Sequence, residues 1–191
     1  MPRNALHNPM TVAALGALLE RPMHPYELAK VLAESGVPVN RGSLYDTIDA
    51  LARAGWVIPL KSERAGVRPK RTPYQITEDG QAELVDRLDE QLRTPRNEYP
   101  EFLSAVSHIG VLGKRRAAAA LQERVTRLAD RIDELARQLH DALNSARVPR
   151  LFVIEAEYAL AMLRAERQWI SGTIRDINDG GLAWPSTKER H

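Results

Sequence analysis

The stretch Asn40-Arg41-Gly42-Ser43-Leu44-Tyr45-Asp46-Thr47-Ile48-Asp49-Ala50-Leu51-Ala52-Arg53-Ala54-Gly55-Trp56 decides how the chain is read. Asn40 suits a helix N-cap, because its side-chain oxygen can accept from an amide of the first turn. Leu44, Ile48 and Leu51 recur at helical spacing and fall on one side, which therefore faces a core. Gly55 stands where a helix leaves through a left-handed residue, and Trp56-Val57-Ile58 then suits a strand.

Upstream, a first helix is expected from about residue 9 to 20, with Val12, Leu15, Leu18 and Leu19 inward. Pro22 ends it, and Pro25 restarts a helix that runs to Ser35-Gly36. The extended Val37-Pro38-Val39 connects it to the helix after Asn40, so the three form a helix-turn-helix.

Downstream the period changes. Residues 56–62 and 72–76 read as two short strands, which Pro59 and Pro73 confine to edges or ends. Arg53, Lys61, Arg64, Arg68, Lys70 and Arg71 meet only Glu63 as an acid here, so a hairpin tip carries a concentrated positive patch. Thr77 caps a fourth helix whose apolar residues are Leu84, Val85, Leu88 and Leu92. The polar stretch Thr94-Pro95-Arg96-Asn97 marks a boundary, giving domains 1–93 and 94–191.

The second domain is helical throughout. A short helix with Phe102, Val106 and Ile109 precedes a long one from Lys114 to about Ala146. Along the latter, Leu121, Val125, Leu128, Ile132, Leu135, Leu139 and Ala142 form a heptad seam. An intramolecular pair and a dimer both satisfy such a seam. Dimerisation is favoured, on the ground that so long a stripe cannot be covered within a small tail, and the partners are then the last helix and the equivalent helices of a second subunit. A last helix from about 150 to 178 carries Ile154, Tyr158, Ala161, Ala165 and Trp169 on one stripe, the second expected dimer surface. Tyr158 and Trp169 could instead line an effector pocket, whereas Tyr26, Tyr74 and Trp56 read as packing residues.

The 191 residues, 43% of them hydrophobic and 27% charged, suit a mainly α-helical globular chain. With 27 basic residues against 25 acidic ones, charge informs only through its local distribution. Cysteine is absent and the five histidines share no ligand spacing, so neither a metal site nor a cofactor is expected. No phosphate-cradling glycine loop, nucleophile elbow or close carboxylate pair stands out, which argues against an enzyme. The apolar run 10–19 ends at Glu20-Arg21-Pro22 without a small-residue cleavage site. The chain is therefore expected to be soluble, unprocessed and cytoplasmic, with no membrane partner.

Three helices followed by a basic hairpin describe a winged helix-turn-helix. Its third helix is about as wide as the major groove of DNA, and its wing reaches flanking phosphates. Asn40, Arg41, Ser43 and Tyr45 gather at the N-terminus of that helix, and Arg64, Arg68, Lys70 and Arg71 lie on the wing. Asp46 and Asp49 fall opposite the apolar side. Either Asp46 accepts from a cytosine amino group or the helix enters the groove by its N-terminus; the second is favoured, because acids near phosphates are unfavourable.

Arg41-Gly42-Ser43-Leu44-Tyr45, Gly55-Trp56-Val57 and Tyr74-Gln75-Ile76-Thr77-Glu78-Asp79-Gly80 resemble the PadR family of bacterial transcriptional regulators. Leu15-Gly16-Ala17-Leu18-Leu19 and His24-Pro25-Tyr26-Glu27-Leu28 fall where that family has its first two helices. The later half is similar to the longer-tailed subgroup. The resemblance implies a homodimeric repressor on an inverted-repeat operator, released by a small aromatic or drug-like molecule. It also implies backbone contacts from Ser43 and Tyr45 and wing contacts from Lys70 and Arg71. A MarR-type regulator fits less well, since no dimerisation helix has room before residue 9. The alternative from another class is a winged-helix adaptor that binds protein and no DNA.

Overall fold

The structure is a computed structural model describing residues 9–60, 72–95 and 100–184. The chain divides into two compact units, Met1–Asn97 and Glu98–His191.

In the first unit, α1 (Pro9–Glu20) packs against α2 (Pro25–Glu34), α3 (Arg41–Arg53), strand β2 (Tyr74–Ile76) and α4 (Glu78–Arg93). A helix surrounded in this way must be apolar on several sides. Accordingly Met10, Thr11, Ala14, Leu15 and Leu18 are all buried, while Leu19, expected inward, is exposed at the helix end. Met23, Leu28, Leu32, Leu44, Ile48, Leu51, Val57, Ile76 and Leu84 complete this core.

The third helix begins and ends as its sequence dictates. Asn40 is in extended conformation and its side chain accepts from the Ser43 amide at 3.3 Å. Gly55 has φ +78°, and the Trp56 amide returns to the Leu51 carbonyl at 3.0 Å.

β1 (Val57–Pro59) pairs antiparallel with β2 in the register Val57↔Ile76, Ile58↔Gln75 and Pro59↔Tyr74. Both strands are shorter than expected. β2 is also held from its other side, where Met23 and Tyr74 exchange both backbone hydrogen bonds, at 3.1 and 2.8 Å. On α4 only Leu84 of the expected apolar residues is buried. Val85, Leu88 and Leu92 form an exposed stripe, with Leu92 at 87%.

The second unit is an antiparallel helix hairpin with a short helix beside it. α5 (Glu101–Ser107) leads through a 3₁₀ turn at Ile109–Val111 into α6 (Lys114–His140). A π-helical turn at Asp141–Ser145 and a 3₁₀ turn at Arg150–Val153 reverse the chain into α7 (Ile154–Asp179). The Trp184 indole donates to the Leu112 carbonyl at 2.8 Å, so the residues after α7 fold back onto the start of α6.

The heptad seam of α6 is filled by α7 of the same chain. Leu121, Leu128 and Ile132 are buried, Val125, Leu135 and Leu139 are half-buried, and Ile170 and Ile177 answer them from α7. α6 has 27 residues and α7 has 26, so the last helix, one of the partners expected for the seam, runs beside it at matching length. What α7 leaves outward is its other stripe, where Tyr158, Ala165 and Trp169 are exposed.

Candidate nucleic-acid interface

Burial fixes which side of α3 can meet a ligand. Leu44, Thr47, Ile48, Ala50 and Leu51 face the core, with the Thr47 hydroxyl satisfied by the Ser43 carbonyl at 2.8 Å. The exposed side carries Arg41, Gly42, Tyr45, Asp46 and Asp49 in that order along the axis. Its N-terminal turn is cationic and polar, and the next turns are acidic.

The tip has further donors. Asn40 uses its side-chain oxygen as the cap, which leaves its amide nitrogen as a donor. The backbone amides of Arg41 and Gly42 are among the orphan donors of a helix start, and the helix dipole adds positive potential there. Ser43 is half-buried and Tyr45 is exposed, so Tyr45 is the farther reaching of the two.

The Arg41 guanidinium lies over the Tyr26 ring, 5.4 Å from its centroid. Tyr26 is 56% exposed and packs outside the core, as a platform on α2 for the first residue of α3. Lys30, one turn further along α2, shares with them a pocket of about 240 Å³ lined also by Ala29, Ala33 and Val39. Arg41 has no ion pair among the described residues, whereas Lys30 pairs loosely with Glu34 at 3.7 Å. Beside this patch Arg21 binds Glu27 at 2.6 Å, and that hydrogen bond holds the Glu27 carboxyl below its ordinary range. Position alone makes Tyr26 and Lys30 candidates. The sequence signals neither, because their meeting with Arg41 depends on how α2 and α3 cross.

Of the wing, the base is described. Arg87 on α4 lies over the half-buried Trp56 ring at 5.1 Å and bonds Glu83 at 2.6 Å. The Thr77 amide donates to the Trp56 carbonyl at 3.0 Å and its hydroxyl to the Gly55 carbonyl at 2.7 Å. Arg64, Arg68, Lys70 and Arg71 lie outside the described residues.

Residues 14–86 match the family model described as the transcriptional regulator PadR-like family. Over these residues the first unit is similar to that family. The family so described is one of transcriptional regulators. No curated protein sequence matches it. Among solved structures, Bacillus subtilis PadR in complex with operator DNA superposes with TM-score 0.72 at 17% identity, covering 87% of this chain and 96% of that one. The same Bacillus protein in complex with p-coumaric acid gives 0.70 at 16%, covering 90% and 99%. The Vibrio cholerae virulence activator AphA gives 0.65 at 18%, covering 89% and 98%. At these identities the likeness is one of fold.

The two residues expected at an effector site are separated by the structure. Trp169 lines a cleft in the second unit together with Phe102, Arg124 and Glu166. Tyr158 does not line it, because eleven residues of helix place it about 16 Å along α7. Among the described residues no group of three or more side chains could hold a metal ion, and no helix is long and apolar enough to cross a membrane.

Proposed function

We propose that the chain is a cytoplasmic, homodimeric repressor that binds an inverted-repeat operator and leaves it when a small aromatic or drug-like effector binds. In this reading residues 1–93 form the DNA-binding domain and 94–191 the dimerisation and effector-binding module. The observation that carries DNA recognition is the polarity along α3, with Arg41, Tyr45 and open amides at its tip and Asp46 and Asp49 behind them. A helix charged in that order enters the major groove by its N-terminus, keeping the acids away from the phosphate rows. Asn40, Ser43 and Tyr45 contact the DNA there, while Arg64, Arg68, Lys70 and Arg71 bind flanking phosphates.

Self-association is supported by two exposed apolar stripes, larger than scattered surface residues require. One is Val85, Leu88 and Leu92 on α4, and the other runs through Phe152, Ile154, Tyr158 and Met162 toward Trp169. The effector reading draws on the Bacillus PadR bound to p-coumaric acid, a protein of the same fold. The test is fluorescence anisotropy with a duplex carrying the promoter of the protein's own gene, titrated at low and at physiological salt. Tight binding to that duplex over a scrambled one is expected. Equal or undetectable binding to both at low salt would overturn the reading.

A further inference from the structure

The helical unit holds a cleft that its fold does not need. α5 has no buried residue, and cavities of about 670 and 220 Å³ lie against it, sharing Phe102, Ala105, Val106 and Arg124. The larger falls within the range of small-molecule sites. Its walls are aromatic. Phe102 and Trp169 meet edge to face, with centroids 6.3 Å apart and planes at 83°. Trp169 is 50% exposed, which leaves much of its ring uncovered.

The charges at the cleft select among ligands. Its titratable side chains are Glu101, Arg124 and Glu166. Glu166 accepts from Arg124 Nε at 2.6 Å, and the Arg124 guanidinium lies 3.8 Å from the Phe102 ring centroid. That pair is neutral as a unit, and its cation already has both a carboxylate and an aromatic face. Glu101 has no ion pair or hydrogen-bonded partner among the described residues, so among these the cleft holds one unpaired carboxylate beside an open indole. Tryptophan is the best aromatic partner for a cation, and the attraction strengthens as water leaves. An anionic ligand would instead approach two carboxylates and would have to share Arg124 with Glu166.

We infer that this cleft binds a planar aromatic cation, stacked on Trp169 as Arg124 is stacked on Phe102, with Glu101 as the counter-charge. The inference rests on the effector reading above and gives it a place and a ligand class. Closure of α5 over the ligand would bring Phe102 and Leu103 against it, turning an open cleft into a covered one.

The test uses two probes of nearly the same shape and opposite charge, N-methylquinolinium and 2-naphthoate, titrated calorimetrically into the full chain without DNA. N-methylquinolinium is expected to bind at least about tenfold more tightly than 2-naphthoate. Trp169→Leu should weaken the cation about tenfold, and Glu101→Gln by about threefold with an unchanged thermal melt, since the Glu101 side chain is exposed. Phe102→Leu, which removes the opposite wall, provides a second disruption of the site. Tighter binding of 2-naphthoate would overturn the ligand class and point to the Arg124 Nη donors. Absence of binding by either probe, or binding that ignores both Trp169→Leu and Phe102→Leu, would overturn the site. A separate anisotropy titration with promoter DNA then examines release. Cation binding that leaves DNA affinity unchanged keeps the site and overturns only the effector reading.

Discussion

Gly80→Ala should damage the junction on which the wing stands. Gly80 is buried in the first turn of α4, and a Cβ built there would lie 2.1 Å from the Trp56 carbonyl oxygen. It would also lie 2.9 Å from both Trp56 C and Ile76 Cγ1. An unstrained carbon–oxygen approach is about 3.3 Å, so backbone must move by roughly 1 Å. Flexible side-chain ends cannot absorb that, because the nearest atom belongs to the peptide that also accepts from Thr77. Overpacking of this kind costs about 1–3 kcal/mol, and weakening the Thr77 bond adds about 1 kcal/mol. The helix propensity of alanine returns about 1 kcal/mol, for a net loss of about 2 kcal/mol in the first unit. Native-state hydrogen exchange at the amides of residues 56–60 and 74–80 reads this locally and does not require the two units to unfold together. Gly16→Ala is the matched control, since nothing lies within 4 Å of its Cβ and α1 should gain about 0.5–1 kcal/mol. Unchanged protection in Gly80→Ala, or equal gains in both variants, would refute the reasoning.

Four further outcomes follow from the geometry. Tyr26→Ala should weaken promoter binding by about 0.5–1 kcal/mol, or two- to fivefold, while Tyr26→Phe keeps the affinity; equal affinity of all three proteins would remove the platform role of Tyr26. Asp46→Ala should tighten binding a few-fold at low salt and by less at high salt, as expected of an acid near but not among the phosphates; weaker binding would instead assign Asp46 to a base. Leu44→Ala, at a side chain with no exposure, should lose about 2–5 kcal/mol of stability in denaturant melts and carry DNA binding with it. Leu92→Ser should leave the thermal melt of the first unit unchanged and shift sedimentation toward monomer, and a species distribution identical to the parent would take α4 out of the dimer surface.

The helix-turn-helix was legible because its signals are local. Asn40, Gly55 and Thr77 fix helix ends through bonds to residues within a few positions, and Leu44, Ile48 and Leu51 need only the 3.6-residue period to declare a face. Sequence reading lost ground where the partner is distant. Tyr26 and Arg41 meet across a helix crossing, and Met23 joins Tyr74 at long separation. Arg87 covers Trp56 from a helix that begins after the wing. The cleft under α5 was reachable only through Trp169, because Phe102 and Arg124 carry no motif and converge through the packing of three helices.

The α6 seam shows why periodicity cannot choose between a partner in the same chain and one in another. A heptad stripe specifies a helical neighbour of matching length and says nothing about which chain supplies it. Here α7 is long enough, and Leu121, Leu128 and Ile132 are buried within the chain itself. The consequence reaches the proposed switch. If the seam does not hold the dimer, the surfaces left to hold it are the outer stripe of α7 and the apolar stripe of α4. Trp169 stands at one end of the first stripe and also walls the cleft. A ligand stacked there would touch a residue of the proposed subunit contact directly, so a change in the spacing of two recognition helices needs no relay through the packed interior of α6 and α7.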